Sequence, residues 1–316
     1  MTGKKKTASK GAYITGIITL ILVAILLQVR LDIPVETLSA GYANDQSRFM
    51  EIDGLFVHYR DEGQGEPLVL IHGAASSLHT WDVWTEELKE DFRVIRMDLP
   101  AFGLTGPDLY AEGDYTLDYY ADFLEKFLDK LNIEEAHLAG NSLGGGITWT
   151  FSRRYPERVK NMILVCPVGY HSEGFTGGGL IESPVVQTIV SYFTPEFAVN
   201  FFVRQVYGDN DKIEEDVARR YHRLLLREGN REALMQVKEA LGDRDSSEDG
   251  EIMSEIEVPS LIIWGELDSL LPVDNAYSFH EDLPDSQKII YEGVGHVPME
   301  EIPEKSAADT RNYLLN

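Results

Sequence analysis

Cysteine is almost absent from this chain of 316 residues: Cys166 stands alone. That excludes an intramolecular disulfide and any metal site built on paired cysteines. Cys166 closes the apolar run MILVC and reads as a buried structural thiol. Acid is absent before Asp32, and base is scarce after it. Five of the 28 basic residues precede Asp32, which leaves 23 against 53 acids in the remainder and a net charge of −25 overall. A surface of that sign repels phosphate backbones, so nucleic acid is excluded as a partner class. No internal repeat is apparent. What is present is the make-up of a globular chain, 43% hydrophobic and 10% aromatic, long enough to bury a sizeable core.

The N-terminus is of different material. Four lysines precede Ala12–Val29, a run without a charge. As a helix it would cover roughly 27 Å, close to the hydrocarbon thickness of a thin bilayer. The expectation is a single-pass membrane protein: residues 1–30 form a cytoplasmic stub and anchor, and the lysines keep the N-terminus inside and the rest outside the cytoplasm. The alternative is secretion after signal cleavage, but the first small residues, Ser39 to Gly41, lie far from the apolar run. Residues 31–48, with Pro34, then read as a tether.

From Phe49 on, the pattern alternates. MEIDGLFVHYRDEG predicts a hairpin turning at Asp53-Gly54. PLVLIHG, RVIRMD, EAHLAG and VKNMILVC read as buried strands, separated by helical stretches from Leu78, Thr116 and Leu143. Thr116 is placed to cap its helix. Residues 168–250 have helical periodicity and no strong strand run. Alternation resumes with SLIIWGELD, a helix from Val273, SQKIIYEG and a helix from Pro298. This predicts an α/β fold with one mostly parallel sheet flanked by helices. Residues 49–167 and 251–316 form its core, and residues 168–250 form a helical insertion.

The chemistry centres on HLAGNSLGGG. Ser142 falls between a predicted strand and a predicted helix. A tight strand-to-helix turn brings the backbone on either side of the serine close together, which requires Gly140 and Gly144 and holds the hydroxyl exposed. The helix that follows points its N-terminus at the reaction centre, where N–H groups hold developing negative charge. A serine nucleophile needs a base, and the base an orienting acid. Of the eight histidines, His296 stands out in EGVGHVPMEE, on a loop just past the last strand. The acid is Asp268 in WGELDSLLP, with Glu266 as the alternative; no acid follows MILVC.

These segments together resemble the α/β-hydrolase superfamily, from about Phe49 to the C-terminus. HGAAS resembles its oxyanion loop, DLPAFGLT the segment after the fourth strand with Ala101 in place of the usual glycine, and GNSLGG the nucleophile elbow. WGELDSLLP and GHVPMEE resemble the acid and histidine loops. The resemblance implies an eight-stranded sheet, with Ser142 as nucleophile, Asp268 as acid and His296 as base. It makes the backbone N–H groups of Ala74 and Leu143 the oxyanion hole, and the helical block 168–250 a cap over the pocket. The expected activity is hydrolysis of an ester-like acyl bond in a small molecule, without metal or organic cofactor, and membrane tethering makes a lipid-derived acyl substrate attractive. Two readings use the same machinery: a carbon–carbon hydrolase of ring-cleavage products, and acyl transfer or perhydrolysis. The first is weakened by HGAASS in place of HGxGPG and by Val297 where tryptophan is common. Epoxide hydrolysis and dehalogenation need an aspartate where Ser142 stands. The reading from outside enzymology is a ligand receptor that kept the fold. Phe193, Phe197, Phe201 and Phe202 are expected to pack within the cap rather than line a pocket.

Overall fold

The computed structural model describes residues 32–111, 114–170, 194–242 and 247–316. Its strands are β1 (Ser47–Ile52), β2 (Leu55–Glu62), β3 (Glu66–Ile71), β4 (Phe92–Met97), β5 (Ala136–Asn141), β6 (Val159–Val165), β7 (Ser260–Gly265) and β8 (Ser286–Tyr291). They form one eight-stranded sheet in the order β1-β2-β4-β3-β5-β6-β7-β8. β2 pairs antiparallel with β1 and β4; every other pairing is parallel. Central strands such as β5 and β7 are buried at every residue, as a sheet covered on both faces requires. The β1–β2 turn has positive φ at both Asp53 (49°) and Gly54 (88°), the twist that a two-residue hairpin demands.

The helices are α1 (Val35–Tyr42), α2 (Asp82–Leu88), α3 (Leu117–Lys130), α4 (Leu143–Arg154), α5 (Glu196–Val206), α6 (Val217–Leu225), α7 (Asn230–Gly242), α8 (Asp249–Ser254), α9 (Asp274–Asp282), α10 (Pro298–Glu301) and α11 (Pro303–Leu315). Thr116 caps α3 by accepting from the Tyr119 N–H at 3.2 Å. Tyr120, Ala121, Leu124, Phe127 and Leu128 of α3 are buried at the expected helical spacing. Between β6 and β7 the described elements are all helical.

Three expectations are corrected. No helix among the described residues is long and apolar enough to cross a membrane, so a single-pass membrane protein is not supported. The longest of these helices, α3, has 14 residues, about 21 Å against a hydrocarbon core of roughly 30 Å. The run Ala12–Val29 lies outside the described residues. The segment read as a tether is structured from Asp32 on. Leu38 of α1 is buried with Leu104 and Leu224, Asp32 pairs with Arg231, and the Ile33 N–H donates to Leu226 O at 2.7 Å. Its apolar residues are few but sit one helical turn apart, enough to seat a short helix on the cap. Finally, Phe197 (68%), Phe201 (64%) and Phe202 (38%) are exposed among the described residues, while Val199, Val203 and Val206 form the buried stripe of α5. Phe193 lies outside the described residues.

One buried polar network joins four parts of the fold. Asp98, just past β4, accepts from the N–H groups of Leu78 and Leu104, both at 2.8 Å, and meets His58 Nδ1 at 2.7 Å. His58 Nε2 lies 2.8 Å from Ser47 Oγ. Burial by itself raises the Asp98 carboxyl, but the charge and hydrogen bond of His58 outweigh it and hold the group well below the usual carboxylate range. With the folded value depressed below an ordinary value near ~3.9, the stabilisation is complete above that pH and is lost as pH falls toward the folded value. Asp98→Asn is expected to lower the unfolding free energy by about 3–5 kcal/mol at pH 7 in urea titrations. The gap between variant and parent should shrink on acidification, and a gap independent of pH would contradict this role.

Candidate active site

The turn between β5 and α4 is built by steric exclusion. Ser142 sits there with φ 54° and ψ −114°, a strained conformation for a residue with a side chain. A Cβ at Gly140 would lie 2.1 Å from Gly144 O, and one at Gly144 would lie 2.1 Å from Ile71 O in β3. One at Gly145 would lie 2.6 Å from Pro167 Cβ, so that glycine lets α4 pack on the loop after β6. Gly146 differs: its nearest neighbour would be the flexible tip of Leu117 at 3.1 Å.

The loop after β3 runs beside this turn. A Cβ at Gly73 would lie 3.1 Å from the Ser142 Cβ, so the loop leading into Ala74 touches the serine turn, and Leu143 follows the serine at the start of α4. Neither the Ala74 nor the Leu143 N–H donates to an acceptor among the described residues. Two amides adjoining one hydroxyl with no partner of their own can receive an oxyanion. The loop is fixed from beneath by His72, whose Nδ1–H donates to Gly73 O at 2.7 Å while Nε2 accepts from the Leu99 N–H at 2.9 Å. Burial lowers the His72 pKa, which favours this neutral tautomer. Ala75, with φ 58°, bends the loop back.

The structure brings Asp268 and His296 together. Asp268 Oδ2 accepts from His296 Nδ1 at 2.7 Å, with the carboxylate fully buried. Its other oxygen accepts from the N–H groups of Leu270 and Leu271, each at 2.9 Å. That leaves His296 Nε2 as the nitrogen without a hydrogen bond among the described residues. Glu266, the alternative acid, is exposed and accepts instead from the Gly293 N–H at 3.2 Å. The His296 loop is tied to the serine turn by Asn141, whose Nδ2 donates to Val165 O and His296 O, both at 3.1 Å. Ser142 Oγ makes no hydrogen bond to His296; such contacts are commonly long before substrate arrives. Cys166 Sγ lies within 4.8 Å of the Asp268 and His296 ligand atoms. Burial, reinforced by the Asp268 charge, pushes its thiol well up.

Sequence reasoning missed Asn141 and two glutamates quoted only as part of GHVPMEE. Glu301 is 4% exposed and faces no cation; it accepts from the N–H groups of Gly295 (2.8 Å), Asp209 (2.8 Å) and Gly208 (3.0 Å). It therefore joins the His296 loop to the cap segment after α5, and the His296 N–H adds a bond to Val206 O at 2.7 Å. Glu300 pairs with Arg220 of α6 and accepts from Tyr207 Oη at 2.9 Å. The available signal was a pair of acids inside an otherwise apolar turn just past the histidine.

Residues 66–188 match the sequence family described as alpha/beta hydrolase fold. The chain is 30% identical over 241 residues to the dihydrolipoyllysine-residue acetyltransferase component of an acetoin cleaving system from Cupriavidus necator, covering 72% of this chain but 59% of that protein's length. It is 28% identical over 274 residues to 2-hydroxy-6-oxo-6-(2'-aminophenyl)hexa-2,4-dienoic acid hydrolase of Metapseudomonas resinovorans, covering 84% of this chain and 90% of the relative. To lipase 3 of a Moraxella species it is 26% identical over 258 residues, covering 80% and 78%. The solved structure of a bacterial membrane phospholipase A superposes with a TM-score of 0.76 at 24% identity, over 96% of this chain and 98% of the other, a likeness of fold alone. The chain has the α/β-hydrolase fold.

Two substitutions separate steric need from chance at the serine turn. Gly140→Ala is expected to cost more than about 4 kcal/mol or to prevent folding, because its Cβ meets backbone. Gly146→Ala should stay within about 1 kcal/mol of the parent, since the gain in helix propensity offsets a small shift of Leu117. Equal losses in thermal unfolding would contradict the geometry. Glu301→Gln, which sets an NH₂ group among three N–H donors, is expected to destabilise by about 2–4 kcal/mol in urea titrations; an unchanged midpoint would contradict the clamp.

Proposed function

We propose that the chain is a serine hydrolase acting on an ester-like acyl bond. The observation that carries this reading is the buried Asp268–His296 hydrogen bond beside a strained turn that presents Ser142. Ser142 Oγ attacks the acyl carbon while His296 Nε2 takes its proton. Asp268 holds the Nδ1–H tautomer and stabilises the imidazolium that forms. The N–H groups of Ala74 and Leu143 receive the oxyanion; one such donor is worth about 3–4 kcal/mol of transition-state stabilisation. His296 returns the proton to the leaving group. It then draws a proton from water, which attacks the acyl-enzyme and frees Ser142. The likeness to a lipase supports an ester substrate.

A second reading rests on the likeness to a hydrolase of a hexadienoic acid: cleavage of a carbon–carbon bond next to a carbonyl. The likeness to an acetyltransferase component likewise leaves an acceptor other than water for the acyl group. Either hydrolysis needs water alone, whereas acyl transfer needs a second acceptor; the ester is preferred on the likeness to a lipase and on HGAASS in place of HGxGPG. Ser142→Ala is expected to reduce turnover of p-nitrophenyl esters by at least about 10³-fold with an unchanged fold. Full turnover by that variant would overturn the assignment. A kcat/KM for a dienoic ring-fission product far above that for every ester tested would move it to the carbon–carbon reading.

A further inference from the structure

A cavity of about 510 Å³ lies apart from the serine turn, between α1, α6 and the edge where Arg60 of β2 meets Asp82. None of Ser142, Asp268 and His296 lines it. Its size falls among small-molecule sites. Its outer wall is α6, which carries Arg219, Arg220 and Arg223, and Arg60 lies on the opposite side.

Three arginines on one helical turn and a half repel one another, and like charges four residues apart weaken a helix. Local carboxylates do not account for all of them. Arg220 is committed to Glu300, outside the cavity. Arg60 is committed too: it donates to Ser47 Oγ and Tyr42 O, meets His79 Nε2, and shares Asp82 with Arg96, so that carboxylate is doubly engaged. Arg219 has only Glu215, at 3.9 Å and 97% exposed, a pair that contributes little in solvent. Arg223 has no ion pair among the described residues. Asp216 lies at the exposed rim and pairs with neither. Arg219, Arg220 and Arg223 all act on the Tyr42 phenol across the cavity, pulling against the rise that burial causes. Two weakly paired guanidinium groups, those of Arg219 and Arg223, therefore face one cavity of a chain that carries −25.

We infer that this cavity binds a phosphate-type oxyanion, held by Arg219 and Arg223. Guanidinium forks match phosphate oxygens in pairs, which a chloride ion cannot reproduce. The walls contributed by Leu38, Tyr42 and Ala43 leave room for an organic group attached to the phosphate.

The test is calorimetric titration and thermal unfolding of the full chain with inorganic phosphate and with phenyl phosphate, against sodium chloride at matched ionic strength. Saturable binding and a raised Tm are expected with phosphate chemistry and not with chloride. Stronger binding of phenyl phosphate would identify a phosphate monoester as the ligand; equal or stronger binding of inorganic phosphate would identify the free ion. The double variant Arg219→Gln, Arg223→Gln should bind roughly 10-fold or more weakly with its unliganded Tm near the parent's. Arg158→Gln, remote from the cavity, should bind as the parent does, and so should Ser142→Ala, which separates this site from the serine turn. No binding of either phosphate, or binding unchanged in the double variant, would overturn the inference.

Discussion

Everything at the candidate site depends on how closely the backbone approaches itself around Ser142. β5, the serine and α4 make a turn so tight that Gly140 packs on Gly144, and Gly144 on the end of β3. That contact ties the serine turn to the end of β3 and so to the loop that leads into Ala74. The cost is a non-glycine residue in the left-handed region, of order 1–3 kcal/mol. It persists because β5 is buried on both faces and bonded to β3 and β6.

The partner residues reach the turn by longer routes. Asp268 is held by two amides of its own loop, and His296 by Asp268, Asn141 and the cap. Glu301 gives that last link its strength. A buried carboxylate is tolerable when N–H donors replace its hydration, and here the three donors come from both sides of the cap–core junction. The described cap segment next to α5 is thus part of the histidine's support rather than a cover laid over it.

What could be read from the chain was local or periodic. The Asp53-Gly54 turn, the Thr116 cap and the strand-to-helix position of Ser142 each rest on a few adjacent residues, and the structure contains all three. What could not be read depends on contacts between distant segments. Ser47, His58 and Asp98 lie on three separate strands or loops, so nothing in the hairpin marked His58 as part of a buried network. α1 looked like a polar connector because its burial rests on Leu38 and on surfaces from residues 104 and 224. The phenylalanines of α5 looked like core because helical spacing does not say which of two apolar stripes faces inward; the valine stripe does.

The Ser47–His58–Asp98 network has the connectivity of a catalytic relay, with contacts of 2.8 and 2.7 Å, and supplies a strict internal control. Ser47 Oγ already accepts from the Asn44 N–H at 3.1 Å and Arg60 Nε at 3.3 Å, so its lone pairs are occupied. Connectivity alone would favour Ser47, since Ser142 Oγ makes no hydrogen bond to His296; the proposed function instead rests on the strained turn and the amides beside Ser142. Peptide mapping after treatment with a fluorophosphonate probe decides between them. The predicted result is a single adduct on Ser142 that is lost in Ser142→Ala and slowed in Asp268→Asn. An adduct on Ser47, or none on the folded protein, would contradict Ser142 as the sole nucleophile.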